Sequence, residues 1–273
     1  MTAAGIFLTH EVSPRIRRHF RRLRRESGHL VTWHFVHSVD TGPRPRAPFS
    51  YEDPAEVMAR RYRETVANGG VYGGYLDTLF VPVLRALPAD HLWLMEYDVD
   101  YSGSWEELFE EFADNEADLL ATSVMTKAEQ PDWPWWRTAG APDWVREDQL
   151  TRSMDPLMRV SRQLLNTYAV AMADAQWQGI YEYTLATIAV VSGARVEDLG
   201  NQGSFTPPQR RGRVYVGKSP AGTPDDMTFR FRPSRRRYFH EAPDRFQRPH
   251  MLYHPVKPGV ADLKNPPLEE PSD

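Results

Sequence analysis

Strand, helix and strand follow one another within the first 36 residues, and this order restricts the fold more than any other feature of the chain. Gly5 to Thr9 (Gly-Ile-Phe-Leu-Thr) is a short apolar run that reads as a buried strand ending in polar Thr9-His10-Glu11. Ser13-Pro14 is a helix start, with a capping hydroxyl and proline at the first helical position. Ile16, Phe20 and Leu23 form one apolar stripe, and Gly28 stops the helix. Leu30 to Val36 is then a second strand. A crossover of this kind joins parallel strands, so the chain is expected to be α/β.

The alternation continues. Helices are expected over Pro54 to Ala67, Leu76 to Leu87 and Trp105 to Ala113, and strands over His91 to Asp98 and Ala117 to Val124. A Trp/Pro-rich loop runs from Gln130 to Val145. It is followed by a long helix from about Arg159 to Gln176, a second from Tyr181 to Val191, and a short strand over Arg195 to Leu199. The stretch from Gly203 to Ser234 is rich in Gly, Pro and Arg and reads as irregular or loosely paired. One domain is expected over residues 1–257. The proline-rich residues 258–273 read as a disordered or surface-draped tail.

Composition narrows the function. The 273 residues include no cysteine, which excludes a disulfide scaffold, a thiolate nucleophile and a thiolate metal site. With 33 basic and 37 acidic side chains the net charge of −4 argues against a general polyanion binder, so no nucleic-acid partner is expected. No apolar run reaches the roughly 20 residues of a membrane helix and no signal-peptide core follows Met1, so the expectation is a soluble, cytoplasmic protein.

The strongest local signal is the segment from Trp93 to Trp105, with Glu96, Asp98 and Asp100 closing an apolar strand. Strand alternation places these three carboxylates on one face, with Met95, Tyr97 and Val99 on the other. Such a group is repulsive unless a proton or cation neutralises it. Hard oxygen ligands at the C-terminal end of a parallel strand suit Mg²⁺ or Mn²⁺ together with a diphosphate, and open α/β sheets bind ligands at that edge. A solvated acidic turn is the plainer alternative.

This segment resembles the D-x-D region of GT-A glycosyltransferases, which use nucleotide-diphosphate sugars. It is most similar to a poorly characterised glycosyltransferase-like group with the pattern W-x-x-E-x-D-V-x-x-[ST]-G-x-W. Two further segments carry the resemblance. Trp177 to Glu182 (Trp-Gln-Gly-Ile-Tyr-Glu) lies where such enzymes have a tryptophan, glycine and acidic motif near the acceptor. Leu252 to Lys257 (Leu-Tyr-His-Pro-Val-Lys) is similar to their C-terminal segment, in which a histidine can complete the metal site. The resemblance implies the GT-A (Rossmann-like) α/β fold, a mixed, mostly parallel sheet flanked by helices. It also implies a metal-dependent transfer of a sugar from a nucleotide-diphosphate donor, UDP-sugar foremost, to a hydroxyl acceptor (a carbohydrate, a lipid-linked intermediate or a small natural product). It implies Asp98 as the first metal ligand, Asp100 and Glu96 as competing partners, and His254 as a nitrogen ligand that favours Mn²⁺ over Mg²⁺. Related patterns often have a basic residue at the position of Asp100, which leaves Glu96 and Asp98 as the alternative pair.

Other roles follow from these. Lys257 can reach a phosphate oxygen as a point charge, or is simply a surface lysine before the tail. Glu182, at a helix start, is the expected base for the acceptor hydroxyl, the alternative being a glutamate favoured by the helix dipole. Glu197 and Asp198 are weaker alternatives for that role. Trp133, Trp135, Trp136 and Trp177 offer flat faces to an acceptor sugar, or pin their loop to the core. Thr9 and His10 occupy the position at which GT-A enzymes contact the nucleotide base. The arginine run from Arg15 to Arg25 reads as the solvated face of its helix, with Arg15 and Arg18 near enough to its start to touch donor phosphates. A second cluster, Arg230, Arg232 and Arg235 to Arg237, is a further anion-binding candidate. Two other classes compete with a transferase: a non-catalytic nucleotide- or sugar-binding protein on the same scaffold, and a nucleotidyltransferase. The latter calls for a glycine-rich, lysine-bearing loop after the first strand, and Thr9 to Ser13 is not one.

Overall fold

The computed structural model describes residues 3–37, 76–231, 239–240 and 246–257. The helix expected over 54–67, the tail over 258–273, and Arg232 and Arg235 to Arg237 lie outside the described residues.

Strand β1 (Ala3–Thr9), helix α1 (Pro14–Ser27) and strand β2 (Val31–His37) form the expected crossover, with β1 and β2 parallel. Ser13 caps α1, its hydroxyl accepting from the Ile16 amide at 3.3 Å. Helix α2 (Asp77–Ala86) leads into β3 (His91–Glu96), the short β4 (Asp100–Tyr101), α3 (Trp105–Glu111) and β5 (Leu119–Thr126). The chain continues through β6 (Thr151–Ser161), α4 (Arg162–Ala171), α5 (Tyr181–Val191) and β7 (Val196–Asp198). Short strands β8 (Phe239–His240), β9 (Leu252–Tyr253) and β10 (Val256–Lys257) follow.

The main sheet has the order β2-β1-β3-β6-β5-β7. Strands β1, β2 and β3 are parallel, as are β5 and β7, while β6 runs antiparallel to both β3 and β5. Five strands therefore point one way and β6 the other, giving the mixed, mostly parallel α/β sheet. Alternation along the strands splits the core in two. Ile6, Leu8, Leu94 and Met158 pack with Phe80 of α2, Tyr168 of α4 and Leu185 of α5. On the other face Phe7, Trp93 and Met95 pack with Ile16 and Leu23 of α1 and Trp105 of α3. In β1, Gly5 is dictated by its neighbour, because a Cβ there would stand 2.7 Å from the Trp33 ring.

Strand β6 departs from expectation. The sequence suggested no strand between the Trp-rich loop and a helix beginning near Arg159, yet residues 151–161 form an 11-residue strand and the helix starts at Arg162. The hydrophobic pattern is hidden because Arg152, Ser153, Asp155 and Arg159 interrupt it, although all are buried. Arg159 is held by carbonyls of the α3–β5 loop, donating to Phe112 O at 2.9 Å and Ala117 O at 3.2 Å. Tertiary partners thus make a buried strand out of a polar segment.

The three carboxylates do not share a face. The chain turns at Tyr97 and Asp98 after β3, and Asp100 opens β4, which pairs with β9. The Asp100 carboxylate is taken by α1, accepting from Arg22 Nη1 at 2.7 Å and from its neighbour's amide, Tyr101 N, at 2.7 Å. Arg22 Nη2 also donates to the carbonyls of Tyr101 and Gly103, at 3.0 and 2.7 Å. One half-buried arginine therefore clamps the loop behind the acidic turn. Arg22→Ala should lower stability by about 1.5–3 kcal/mol, the range for hydrogen bonds to charged groups. The reading is a lower urea midpoint at unchanged slope, and an unmoved midpoint would remove Arg22 from this role.

Candidate functional site

The site is built where the C-terminal segment runs alongside the acidic turn. Strand β9 pairs with β4, Val256 N donates to Asp98 O at 2.7 Å, and His254 N donates to Thr228 O at 3.0 Å. These backbone bonds bring His254 and Lys257 to Asp98, although Lys257 is 159 residues away in the chain. Glu96, Asp98 and His254 then offer ligand atoms within 4.8 Å of one another. Asp98 and His254 are buried and Glu96 is half-buried. His254 Nε2 stands 3.8 Å from Asp98 Oδ1. The other ring nitrogen, Nδ1, is 2.7 Å from the Arg230 carbonyl, which can only accept, so Nδ1 carries a proton and Nε2 is the ring position facing Asp98.

Asp98 has two differently used oxygens. Oδ2 accepts from Lys257 Nζ at 2.6 Å. Oδ1 is buried and has no hydrogen-bond partner among the described residues. Burial works against the ionised carboxyl, but His254 and Lys257 outweigh it and hold Asp98 below the usual carboxylate range. Burial also works against the Lys257 ammonium, and Asp98 overcomes it, so the lysine lies above its ordinary value. Lys257 Nζ further meets Tyr97 Oη at 2.6 Å, and burial ahead of Asp98 pushes the Tyr97 phenol up to about 12.

Two oxygens and one imidazole nitrogen, one oxygen without a hydrogen-bond partner among the described residues, could hold a divalent cation of the Mn²⁺ type. Asp100 is not in this cluster. It is committed to Arg22, and its Oδ2 faces His19 Nδ1 at 3.9 Å. Thr9 is buried at the end of β1, its hydroxyl donating to Glu11 O at 2.6 Å. His10 is exposed and meets the Tyr97 ring edge-on, 4.9 Å between centroids. Arg15 Nη2 donates to Val256 O at 2.8 Å, so it braces the C-terminal segment, while Arg17, Arg18, Arg21, Arg24 and Arg25 are exposed on α1.

Beside this cluster lies a cleft of about 550 Å³. Trp133, Trp135, Arg152, Glu182, Lys218 and Phe231 are among its walls. Phe229 and Arg230 line it too, and they are the residues that pair with His254, so the cleft and the carboxylate–histidine cluster share a wall. The reversal of β6 explains its position. The N-terminal end of that strand lies beside the C-terminal ends of its neighbours, with Arg152 opposite Met125 of β5. At the bulge between these strands Ser123 has φ 51°, in the left-handed region, and also faces the cleft. Gly179, at φ 110°, makes the turn into α5 that delivers Glu182.

The tryptophans divide. Trp133 and Trp135 line the cleft, whereas Trp136 braces Trp133 from behind, 4.8 Å between ring centroids and edge-on. Trp177, expected near an acceptor, belongs instead to the buried core with Tyr181 and Leu185, and Trp144 covers it. Glu197 and Asp198 are both structural. Glu197 pairs with Arg210 at 2.6 Å, and Asp198 accepts from the amides of Val124, Gly200 and Asn201.

Glu182 is buried, and desolvation first, then Asp155, pushes its carboxyl well above the usual range, with Arg152 opposing. Asp155 went unnoticed in the sequence, as did Arg152. It sits fully buried in β6, accepts from Ser153 Oγ at 2.9 Å through Oδ2, and its Oδ1 has no hydrogen-bond partner among the described residues. The same Ser153 hydroxyl lies 3.2 Å from the Glu182 carbonyl, which ties β6 to α5. Neither residue carried a legible signal, since charged residues in a stretch without strand-like alternation read as surface.

The fold and site together define an α/β domain with a carboxylate–histidine cluster and an aromatic cleft at the C-terminal edge of its sheet. Among solved structures the chain is similar to the galactosyltransferase LgtC in complex with donor and acceptor sugar analogues, at 11% identity and a TM-score of 0.35, covering 74% of this chain and 73% of that one. It is also similar to apo mouse xyloside xylosyltransferase 1, at 14% identity and a TM-score of 0.27, covering 70% of this chain and 81% of that one. These likenesses are too loose to transfer a residue or an activity. No protein-family model and no curated protein matches the chain. Among the described residues no helix is long and apolar enough to cross a membrane.

Burial pushes Asp155 up to about 7, against 3.8 for an ordinary aspartate. Between those values the folded protein keeps a proton that the unfolded chain releases, so this carboxyl's contribution to stability falls as pH rises from about 4 to about 7. Asp155→Asn should remove that part of the slope. Urea unfolding of both proteins across this range is the measurement, and parallel stability curves would show that Asp155 ionises as an ordinary aspartate.

Proposed function

We propose that the protein is a metal-dependent glycosyltransferase that moves a sugar from a nucleotide-diphosphate donor, UDP-sugar foremost, to a hydroxyl acceptor. The observation that carries this reading is the buried Asp98 carboxylate, whose Oδ1 has no hydrogen-bond partner among the described residues and faces His254 Nε2 in a cluster completed by Glu96. Glu96, Asp98 and His254 hold the divalent cation, Mn²⁺ before Mg²⁺. When bound, the cation stabilises negative charge developing on the leaving diphosphate. Lys257 stands beside Asp98 as a point charge for a phosphate oxygen, and the exposed His10 is placed to meet the base. Asp100 positions the turn through Arg22 rather than ligating.

Glu182 is the base in this reading. It lines the cleft on the side shared with the metal cluster, and Glu96 adds to the effects that keep its proton on. A base acts once ionised, so activity rises with pH along a limb displaced upward from the ordinary glutamate range. Trp133 and Trp135 supply the flat walls for an acceptor ring. A non-catalytic nucleotide- or sugar-binding protein is the second reading, and the proton held by Glu182 favours it.

Calorimetric titration with UDP and GDP, with and without Mn²⁺, tests the donor site. UDP should bind in a manganese-dependent manner, and Asp98→Ala or His254→Ala should weaken it by about tenfold or more, a typical loss for a metal-site residue. Metal-independent UDP binding, or none, would overturn the reading. Glu182→Gln should leave UDP binding intact and lower turnover by about 10²–10⁴-fold, abolishing the pH limb. Wild-type binding without turnover on any UDP-sugar would select the binding protein.

A further inference from the structure

Arg152 is a buried cation with too few partners. The side chain is 5% exposed, at the start of β6 on the wall of the cleft. Its five N–H donors have two hydrogen-bond partners among the described residues, Gln130 Oε1 and Met125 Sδ, both through Nη2. A thioether is a weak acceptor. Nε is buried with no hydrogen-bond partner among the described residues. No carboxylate among the described residues forms an ion pair with it. The carboxyl groups that act on it from a distance, Glu182, Asp198 and Asp155, are themselves displaced upward by burial. A guanidinium removed from water without matching acceptors is costly, and one beside an open cleft gains them from whatever enters.

The surroundings suit a sugar that carries charge. Trp133 packs against the guanidinium, 5.8 Å from ring centroid to Cζ, and with Trp135 and Phe231 makes aromatic walls. At the rim Lys218 adds a second cation, held by Asp132 at 2.8 Å. We infer that the cleft takes a sugar bearing an anionic group, a carboxylate or a phosphate, with Arg152 as the fork that holds it. This rests on reading the cleft as the acceptor side of a glycosyltransferase, and it names the acceptor's class. The planar guanidinium fits either oxyanion in bidentate fashion, which a lysine cannot reproduce.

The test is calorimetry on the full chain, in the presence of Mn²⁺ and UDP, with two matched pairs of probes: 4-nitrophenyl β-D-glucuronide against the β-D-glucoside, and glucose 6-phosphate against glucose. The anionic member of at least one pair should bind about tenfold or more tightly than its neutral partner. Preference within the glucuronide pair alone identifies a carboxylate, and within the phosphate pair alone a phosphate. Arg152→Gln should bring the preferred pair to within about twofold. Arg152→Lys, which keeps the charge and guards against a folding defect, should retain part of the preference. Equal affinities in both wild-type pairs would overturn the inference, as would a preference that survives Arg152→Gln. If UDP fails to bind but the Arg152-dependent preference persists, the anion site stands and the transferase reading falls.

Discussion

Asp98 is a carboxylate taken out of water and kept ionised, and the arrangement of the site depends on how that is achieved. Burial alone would protonate it. The ammonium of Lys257 and the imidazole of His254 prevent this, and both arrive on a segment that the main chain pins to the acidic turn through β4–β9 pairing and the Val256–Asp98 bond. The same backbone contacts therefore do two things. They compensate a buried charge, and they bring ligand atoms of two carboxylates and a histidine within 4.8 Å of one another.

The second organising feature is the reversal of one strand. In a wholly parallel sheet the C-terminal edge is furnished by strand ends and the loops after them. Here β6 begins at that edge, so side chains from the start of a buried strand join the site. Arg152 reaches the cleft this way, and α5, tied to β6 through Ser153 and through Thr187 at Thr151, brings Glu182 to the same cleft, with buried Asp155 close enough to act on it. The outcome is a row of ionisable groups from Asp98 to Arg152 whose protonation states are set by burial and by one another. One end gathers two carboxylates, an imidazole and an ammonium, and the other sets a guanidinium against aromatic walls.

Much of the scaffold was legible because its signals are local. Helix α1 announces itself by Ser13, Pro14 and the Ile16–Leu23 stripe, and α5 was bounded correctly at Tyr181 and Val191 by its apolar content and the preceding glycine. Strand β6 was not legible, since its polar residues are paid for only by distant carbonyls and by the cleft. The acidic turn was half legible. Alternation put Glu96, Asp98 and Asp100 on one face, but a turn at Tyr97 and Asp98 intervenes, and Arg22 draws Asp100 away. Trp177 carries the same lesson, because an aromatic beside a glycine looks equally suited to a ligand or to a core, and only packing decides.

By itself the sequence determined the α/β class, the crossover that starts the sheet, and the acidic run that closes β3. These follow from periodicity, capping and residue type within short windows. Only the tertiary structure decided which acids stand together, which tryptophans line a cleft, that Arg152 lines it too, and that Asp155 is buried near Glu182. Each of those outcomes depends on a contact between residues far apart in the chain, and the free energy of burying a charge is settled by what surrounds it in space.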